Sequence, residues 1–302
     1  MAVDIGRGKG TAEVTIDYEH CNSCGLCVKV CKGAPLYIED RKVCIDQSRV
    51  FGCIACGQCV CVCPLDCITV KGRDFSAEDL ISMPAKESKA TYTQLLALMS
   101  ARRSVRNFKE REVERHVVEN IVTAASTAPM GIPPSDVGIL VFQGRDKVKD
   151  FRKDLLGALK SWKKMMSPAM MAGMRPFVGK ESYSAFKDFV VPAIDAYLEM
   201  DKKGEDWFFY DAPLALYFYG GANADPADPY IAATYAMLAA ESLGLGSCML
   251  GFTGYAIKYS KKLKRKYRLP NKIQPGICII FGYPAFNYHK SLRRRFAEVR
   301  IM

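Results

Sequence analysis

The run Cys21-Asn22-Ser23-Cys24-Gly25-Leu26-Cys27-Val28-Lys29-Val30-Cys31 is answered by Cys53-Ile54-Ala55-Cys56-Gly57-Gln58-Cys59-Val60-Cys61-Val62-Cys63-Pro64. Both keep the rhythm Cys-x2-Cys-x2-Cys-x3-Cys, the bacterial spacing for a pair of [4Fe–4S] clusters whose fourth cysteines cross over. Three closely spaced thiolates wrap one cubane, while the fourth leaves along the chain and reaches across a pseudo-twofold. The expected ligands are Cys21, Cys24, Cys27 and Cys63 for one cluster, and Cys53, Cys56, Cys59 and Cys31 for the second. CxxC pairs also bind zinc, but eight cysteines in a duplicated rhythm are far more specific than one pair. Lys32 follows Cys31 where the second run has Pro64. Cys44, Cys61 and Cys67 exceed the ligand count and read as small hydrophobes packed near the clusters.

Outward from these runs, Val14 to Tyr18 reads as an edge strand and Ile68-Thr69-Val70 as its counterpart. Leu36 to Ile45 reads as a hairpin turning at Glu39-Asp40-Arg41. With these elements, residues ~10–71 resemble a bacterial-type two-cluster ferredoxin domain. Eleven of the chain's 13 cysteines lie in this segment. Met1 to Gly10 shows no export signal, so the cysteines point to metal in a reducing, cytoplasmic setting rather than to disulfides. The glycine-rich Gly6 to Gly10 reads as a flexible tail. No apolar stretch approaches the ~20 residues a membrane-spanning helix needs.

Residues 1–71 hold eight basic and eight acidic side chains; the remaining residues hold 35 and 24, which accounts for the whole net charge of +11. A basic surplus suits an anionic cofactor, nucleic acid or an acidic protein. The sequence divides into 1–71, a linker over 72–90, and a larger domain over 91–302. In the last, helices are expected over Tyr92–Arg103, Val113–Thr127, Ile231–Leu243 and Ile257–Tyr267, and strands over Val137–Phe142, Leu214–Phe218 and Gly276–Gly282. Helices and strands mix without strict alternation, so the class is α+β.

Ser100-Ala101-Arg102-Arg103-Ser104-Val105-Arg106 clusters three arginines and a serine at a helix end. Forked guanidinium donors and a hydroxyl suit a phosphate, although a solvated basic helix end would look the same. The run resembles the opening motif of the nitroreductase family of flavoproteins. Ala125-Ser126-Thr127-Ala128-Pro129 resembles that family's flavin-reaching loop, Leu243-Gly244-Leu245-Gly246-Ser247 its L-G-L-G-S segment, and Arg293-Arg294-Arg295 its late basic pair. The resemblance runs from about residue 92 onward. It implies FMN held by Arg102, Arg103, Ser104, Arg106, Arg293 and Arg295 at the phosphate, and by Pro129, Met130, Gly131, Leu250 and Gly251 near the ring. It also implies a homodimer. After Pro129 the chain reads Met130-Gly131-Ile132-Pro133-Pro134-Ser135 rather than the polar residues frequent in the family, so backbone contacts to the flavin are expected there.

Lys160 to Trp207 is a long insertion containing Met165, Met166, Met170, Met171 and Met174, and its aromatic side chains Trp162, Phe177, Tyr183 and Trp207, with Phe208 just beyond, favour a substrate pocket. It reads either as an adaptable apolar lid or as helical core. His20, His116 and His289 are scattered. The basic run Lys261 to Arg268 lacks interleaved aromatics, so nucleic acid is not an expected partner. No G-x-G-x-x-G follows a strand, so no Rossmann nicotinamide site is expected. The combined expectation is an iron–sulfur flavoprotein oxidoreductase. Electrons would pass from the clusters to FMN and on to an electron-poor small molecule such as a nitroaromatic, a quinone or an activated alkene, with ferredoxin or NAD(P)H as donor. The alternative is a non-enzymatic relay between redox proteins. No side chain stands out as a general acid.

Overall fold

A computed structural model describes residues 2–32, 34–165 and 179–302. The two cysteine runs fold as a repeat. Helix α1 (Leu26–Val30) and helix α2 (Gln58–Val62) each begin at a left-handed glycine, Gly25 and Gly57, both at φ 72°. Ser23 and Ala55 precede them at φ 53° and 58°, and Ala34 and Asp66 follow at 70° and 52°. Each pair is separated by the same interval as the cysteine runs. Glycine takes this conformation without a Cβ penalty, and it lets each cysteine run wrap before its helix starts.

Strand β1 (Glu13–Ile16) pairs antiparallel with β4 (Ile68–Lys71), and β2 (Leu36–Glu39) with β3 (Lys42–Ile45). The hairpin turn narrows to Asp40-Arg41, at φ 46° and 63°, and two left-handed residues match the twist of a two-residue hairpin. Val14, Leu36, Val43, Val60, Ile68 and Val70 bury with Cys27, Cys53 and Cys59 as a small core.

The larger unit is built on a four-stranded antiparallel sheet of β5 (Val137–Gln143), β6 (Leu214–Gly220), β7 (Gly246–Leu250) and β8 (Ile277–Gly282), in the order β5-β6-β8-β7. Its helices are α3 (Tyr92–Ala101), α4 (Arg115–Ser126), α5 (Arg145–Met165), α6 (Lys180–Ala185), α7 (Val191–Lys202), α8 (Asp228–Ser242), α9 (Phe252–Tyr259) and α10 (Lys261–Lys266), with a π-helical turn at Phe186–Val190. The class is α+β. Alternate residues of β6 and β8 enter two cores. Leu214, Leu216, Phe218, Ile277, Ile279 and Phe281 pack under α4 and α8. Ala215, Tyr217, Cys278 and Ile280 pack under α5, α7, α9 and α10. Covering both faces explains why β6 and β8 read as nearly continuous apolar runs. Ala232, Ala233, Ala236 and Ala240 let α8 lie close to α4.

Four expectations change. The basic helix over 257–267 is two helices, because the Ser260 hydroxyl accepts from the Leu263 backbone N–H (3.2 Å) and starts a new helix. Helix α5 was not anticipated, although Val148, Phe151, Leu155, Leu156 and Leu159 bury one face at helical spacing. Phe208 belongs to the core at 3% exposure, with Tyr197 stacked on its ring at 4.9 Å, so it packs the core rather than walling a substrate pocket. The N-terminal stretch is not a free tail: Ile5 and Gly8 exchange backbone hydrogen bonds of 2.8 and 3.0 Å, and Ile5 is buried. An apolar Ile side chain placed before the glycines gives the segment something to bury. Met166, Met170, Met171, Met174 and Phe177 lie outside the described residues, as does the side chain of Met165. No helix among the described residues is long and apolar enough to cross a membrane.

Candidate functional site

Cys21, Cys24 and Cys27 are presented by the loop into α1, and Cys63 by the residue after α2. These four line a single cavity with Cys67, Ile16, Val43 and Ile68. Cys31, the residue after α1, lies instead with Cys53, Cys56 and Cys59: burial first, then Cys53, Cys31 and Cys56, pushes the Cys59 thiol up to about 12. The structure therefore brings together the two crossed quartets. Metal ligation by such cysteines requires the thiolate, so binding a metal here releases protons. Among the described residues no three His, Cys, Asp or Glu side chains converge tightly enough to hold a single metal ion; Cys21, Cys24, Cys27 and Cys63 are instead spread around their cavity.

Of the three surplus cysteines Cys67 is buried as expected, but Cys44 is half-buried and Cys61 exposed, so Cys61 is not a packed hydrophobe; the part of Cys67 beyond packing was not legible. Its backbone N–H donates to the Cys63 sulfur at 3.3 Å, and hydrogen bonds to ligand sulfurs are among the determinants of cluster potential. Its own thiol is pushed up to about 11 by burial and by Cys63. His20 pairs with Asp17 at 2.8 Å on the surface.

The Arg102–Arg106 run leaves α3 and lies along β7. Ser104 bridges Ser247 in parallel register, and the Val105 N–H donates to the Ser247 carbonyl at 3.0 Å. Val105 turns inward over Gly246, where an added Cβ would lie 2.5 Å from its methyl. Only glycine at 246 permits this approach. Ser104 and Arg106 consequently face outward together; burial pushes the Cys248 thiol up, and the nearby Arg106 and Ser104 counter that push. Arg106 also lies over the Tyr210 ring at 5.8 Å and Arg103 near that of Tyr288 at 6.0 Å. Among the described residues the buried Ser247 hydroxyl has no hydrogen-bond partner.

The C-terminal segment returns to this place: the Ser291 hydroxyl donates to the Ser100 carbonyl at 2.5 Å. It brings Arg294 to Arg102, whose pKa is pushed down by burial and by Arg294, against the opposing pull of Glu241. Arg293 and Arg295 stand exposed on either side. Arg294 is thus the member of the arginine triplet in electrostatic contact with Arg102, a choice that spacing alone could not make.

Pro129, Met130 and Gly131 form the loop between α4 and β5. The Gly131 N–H donates to the buried Asp228 carboxylate at 3.4 Å, while Met130 packs partly against the core and touches the Ser135 hydroxyl. At the far end of β7, Leu250 is buried and Gly251 opens into an apolar cleft of ≈ 450 Å³ walled by Trp162, Phe186, Phe189, Val190, Phe252 and Tyr255. Its walls come from α5, the π-helical turn and α9, so part of the 160–207 insertion stands beside Gly251. A larger and more polar cleft of ≈ 920 Å³ contains Arg106, Tyr210 and Trp207.

The model of the nitroreductase family matches residues 99–283 of this chain, and that of the 4Fe-4S binding domain matches residues 14–34. A ferredoxin from Methanothermococcus thermolithotrophicus is 42% identical over 60 residues, which make up 19% of this chain and 97% of that protein. A solved nitroreductase with bound FMN from Bacteroides fragilis shares the fold, with a TM-score of 0.50 at 18% identity over 69% of this chain and 98% of its own. A nitroreductase with bound FMN from Desulfitobacterium hafniense gives a TM-score of 0.47 at 20% identity, over 69% and 98% of the two chains.

Proposed function

This chain belongs to the nitroreductase family and carries a ferredoxin-type 4Fe-4S segment ahead of the family domain, and from that premise we propose that it is an FMN-dependent oxidoreductase fed by two [4Fe–4S] clusters. Cys21, Cys24, Cys27 and Cys63 hold one cluster; Cys31, Cys53, Cys56 and Cys59 hold the other. Arg102, Arg103, Ser104 and Arg106, with the C-terminal arginines 293–295, hold the FMN phosphate, and Pro129, Met130, Gly131, Leu250 and Gly251 border the ring. Bound clusters exchange single electrons and bound FMN exchanges one or two, which matches one-electron donors to a two-electron acceptor.

The residues fit these groups. Each quartet holds buried cysteine, Cys27 in the first and Cys53 and Cys59 in the second, whose thiols are pushed up chiefly by that burial, and the phosphate cradle combines clustered guanidiniums with the Ser247 hydroxyl, partnerless among the described residues. The observation that carries the reading is the layout of β7. One edge is lined by the anion-binding run, and its C-terminal end opens at Gly251 onto an apolar cleft. That cleft offers aromatic walls to a flat, electron-poor organic acceptor.

A second copy of the chain completes the assembly. Helix α3 buries none of its residues, and Tyr92, Leu95, Leu96 and Met99 are 77, 42, 43 and 43% exposed. An apolar helix face of this kind marks an interface. The test of the whole reading is anaerobic purification followed by stopped-flow reduction. The protein should hold about eight iron and about eight labile sulfides per chain, together with FMN. Reduced ferredoxin, NADH and NADPH compared at equal concentration identify the donor. Protein that folds and binds its clusters yet retains no flavin would refute the reading.

A further inference from the structure

Two arginines are buried among the described residues. Arg152 pairs with the carboxylates of Asp201 and Asp206 at 2.8 and 3.1 Å. Arg73, 5% exposed, pairs with no carboxylate among the described residues. Its Nε donates to the Ile54 carbonyl at 3.2 Å, one Nη to Gly10 at 2.6 Å, and the other to Val3 at 3.1 Å and Pro133 at 2.9 Å. Four carbonyls satisfy its hydrogen bonds but leave its charge unbalanced, and an unbalanced buried ion is strongly unfavourable.

The surroundings show where balance comes from. Ile54 lies between Cys53 and Cys56, and the Phe75 ring packs over Gly57, 3.0 Å from where a Cβ would stand. The segment after β4 therefore folds back onto the loop of the second quartet. The repeat supplies an internal control: the residue equivalent to Arg73 in the first half is Arg41, at the hairpin turn, and it is exposed. Pro133 belongs to the loop that also carries Met130 and Gly131. Next to it, Asn223 donates to the Asp4 carbonyl at 2.8 Å, so the N-terminal segment is held against the larger unit at the same place.

We propose that Arg73 is a positioning residue with two effects: it gives the cluster of Cys31, Cys53, Cys56 and Cys59 the higher reduction potential of the two, and it clamps that cluster's loop to the Pro133 loop of the flavin unit. The inference rests on the two-cluster reading above. Reduction adds one electron to a cluster that already carries about −2 with its four thiolates, so a buried cation beside it favours the reduced state. The exposed Arg41 offers the other cluster no such help.

The experiment is an anaerobic redox titration of the full-length holoprotein, with dithionite as the electron source and electron paramagnetic resonance as the readout. Cys24→Ser and Cys56→Ser, one exposed ligand from each quartet, assign the two signals. The Cys56 cluster is expected to have the higher midpoint in the otherwise unaltered protein. In Arg73→Gln its reduced-to-oxidised ratio at a fixed potential falls about tenfold, equivalent to ~59 mV for one electron, while the Cys24 cluster stays put. Arg73→Lys keeps the charge and most of the midpoint. Hydrogen exchange at residues 52–56 and 131–136 should quicken in Arg73→Gln. A higher midpoint for the Cys24 cluster overturns the inference even if Arg73→Gln does not assemble, and so does an Arg73→Gln shift shared equally by both clusters or absent from both. A chain that binds a single cluster sinks the two-cluster reading itself.

Discussion

Replacing Arg102 with glutamine separates binding from folding, because the two respond in different ways. In the flavin-free protein Arg102 sits half-buried beside Arg294 and Arg103, with Glu241 as its counterweight. Removing the charge relieves repulsion and loses an attraction, each screened by solvent, so stability should change by no more than about 1 kcal/mol. With FMN bound, the variant lacks one charge-assisted hydrogen bond to the phosphate, worth ~1.5–3 kcal/mol. At ~1.4 kcal/mol per tenfold, FMN binds ~10–150 times more weakly.

The consequence for stability follows by linkage. At a flavin concentration one thousand times the unaltered protein's Kd, binding stabilises the fold by ~4.1 kcal/mol; in the variant ~1.2–2.7 kcal/mol remains. Deflavinated protein is titrated with FMN by fluorescence quenching and melted with and without flavin. Melting curves should nearly coincide without FMN and separate by several degrees with it. A Kd within threefold of the unaltered protein would refute the phosphate assignment. A flavin-free variant that melts far below the unaltered protein would show that Arg102 serves the fold instead.

Three further outcomes are expected. Cys31→Ala should cost the chain the cluster of Cys53, Cys56 and Cys59 and spare the other, so labile sulfide falls from about eight to about four; loss of the Cys21 cluster instead would show that the fourth ligands do not cross. Glu114 is held down at about 2, chiefly by the Tyr283 hydroxyl and then by Arg111, so its share of stability is present above pH ~4.5 and fades as pH falls towards 2. The stability gap between the unaltered protein and Glu114→Gln should therefore narrow between pH 5 and pH 2 in urea unfolding. Leu95→Glu with Met99→Glu on α3 should turn a dimer into a monomer in light scattering, and a dimer that survives both charges would place the interface elsewhere.

What was legible in the sequence was whatever rests on short-range covalent spacing. The two cysteine runs impose the same loop and helix twice, so Gly25 and Gly57 share a conformation and the flanking strands pair as read. The apolar runs of β6 and β8 needed only their length and composition to be recognised, aromatic in β6 and isoleucine-rich in β8. Long-range convergence was not legible. Arg73 follows a glycine in a charged stretch and reads as linker, since nothing local reveals that carbonyls from Val3, Gly10, Ile54 and Pro133 meet there. In the same way, Arg293, Arg294 and Arg295 are equivalent as letters, and only the path set by Ser291 on Ser100 brings Arg294 to Arg102. The break at Ser260 was hidden for the opposite reason. Basic, helix-favouring residues run on past it, and a single hydroxyl restarts the helix.

The distribution of charge joins the two units into one argument. Residues 1–71 are neutral as a polypeptide and the rest of the chain carries the entire +11. Two clusters at about −2 each would make the small unit anionic, and only then would it complement its basic neighbour. Arg73 is buried between the second quartet and the Pro133 loop, with no carboxylate partner among the described residues. Its charge is a liability to the metal-free chain and an asset to the loaded one. Cluster assembly and docking of the two units therefore reinforce each other, and because Arg73 is shielded from water, this part of the attraction should resist salt that screens the exposed charges.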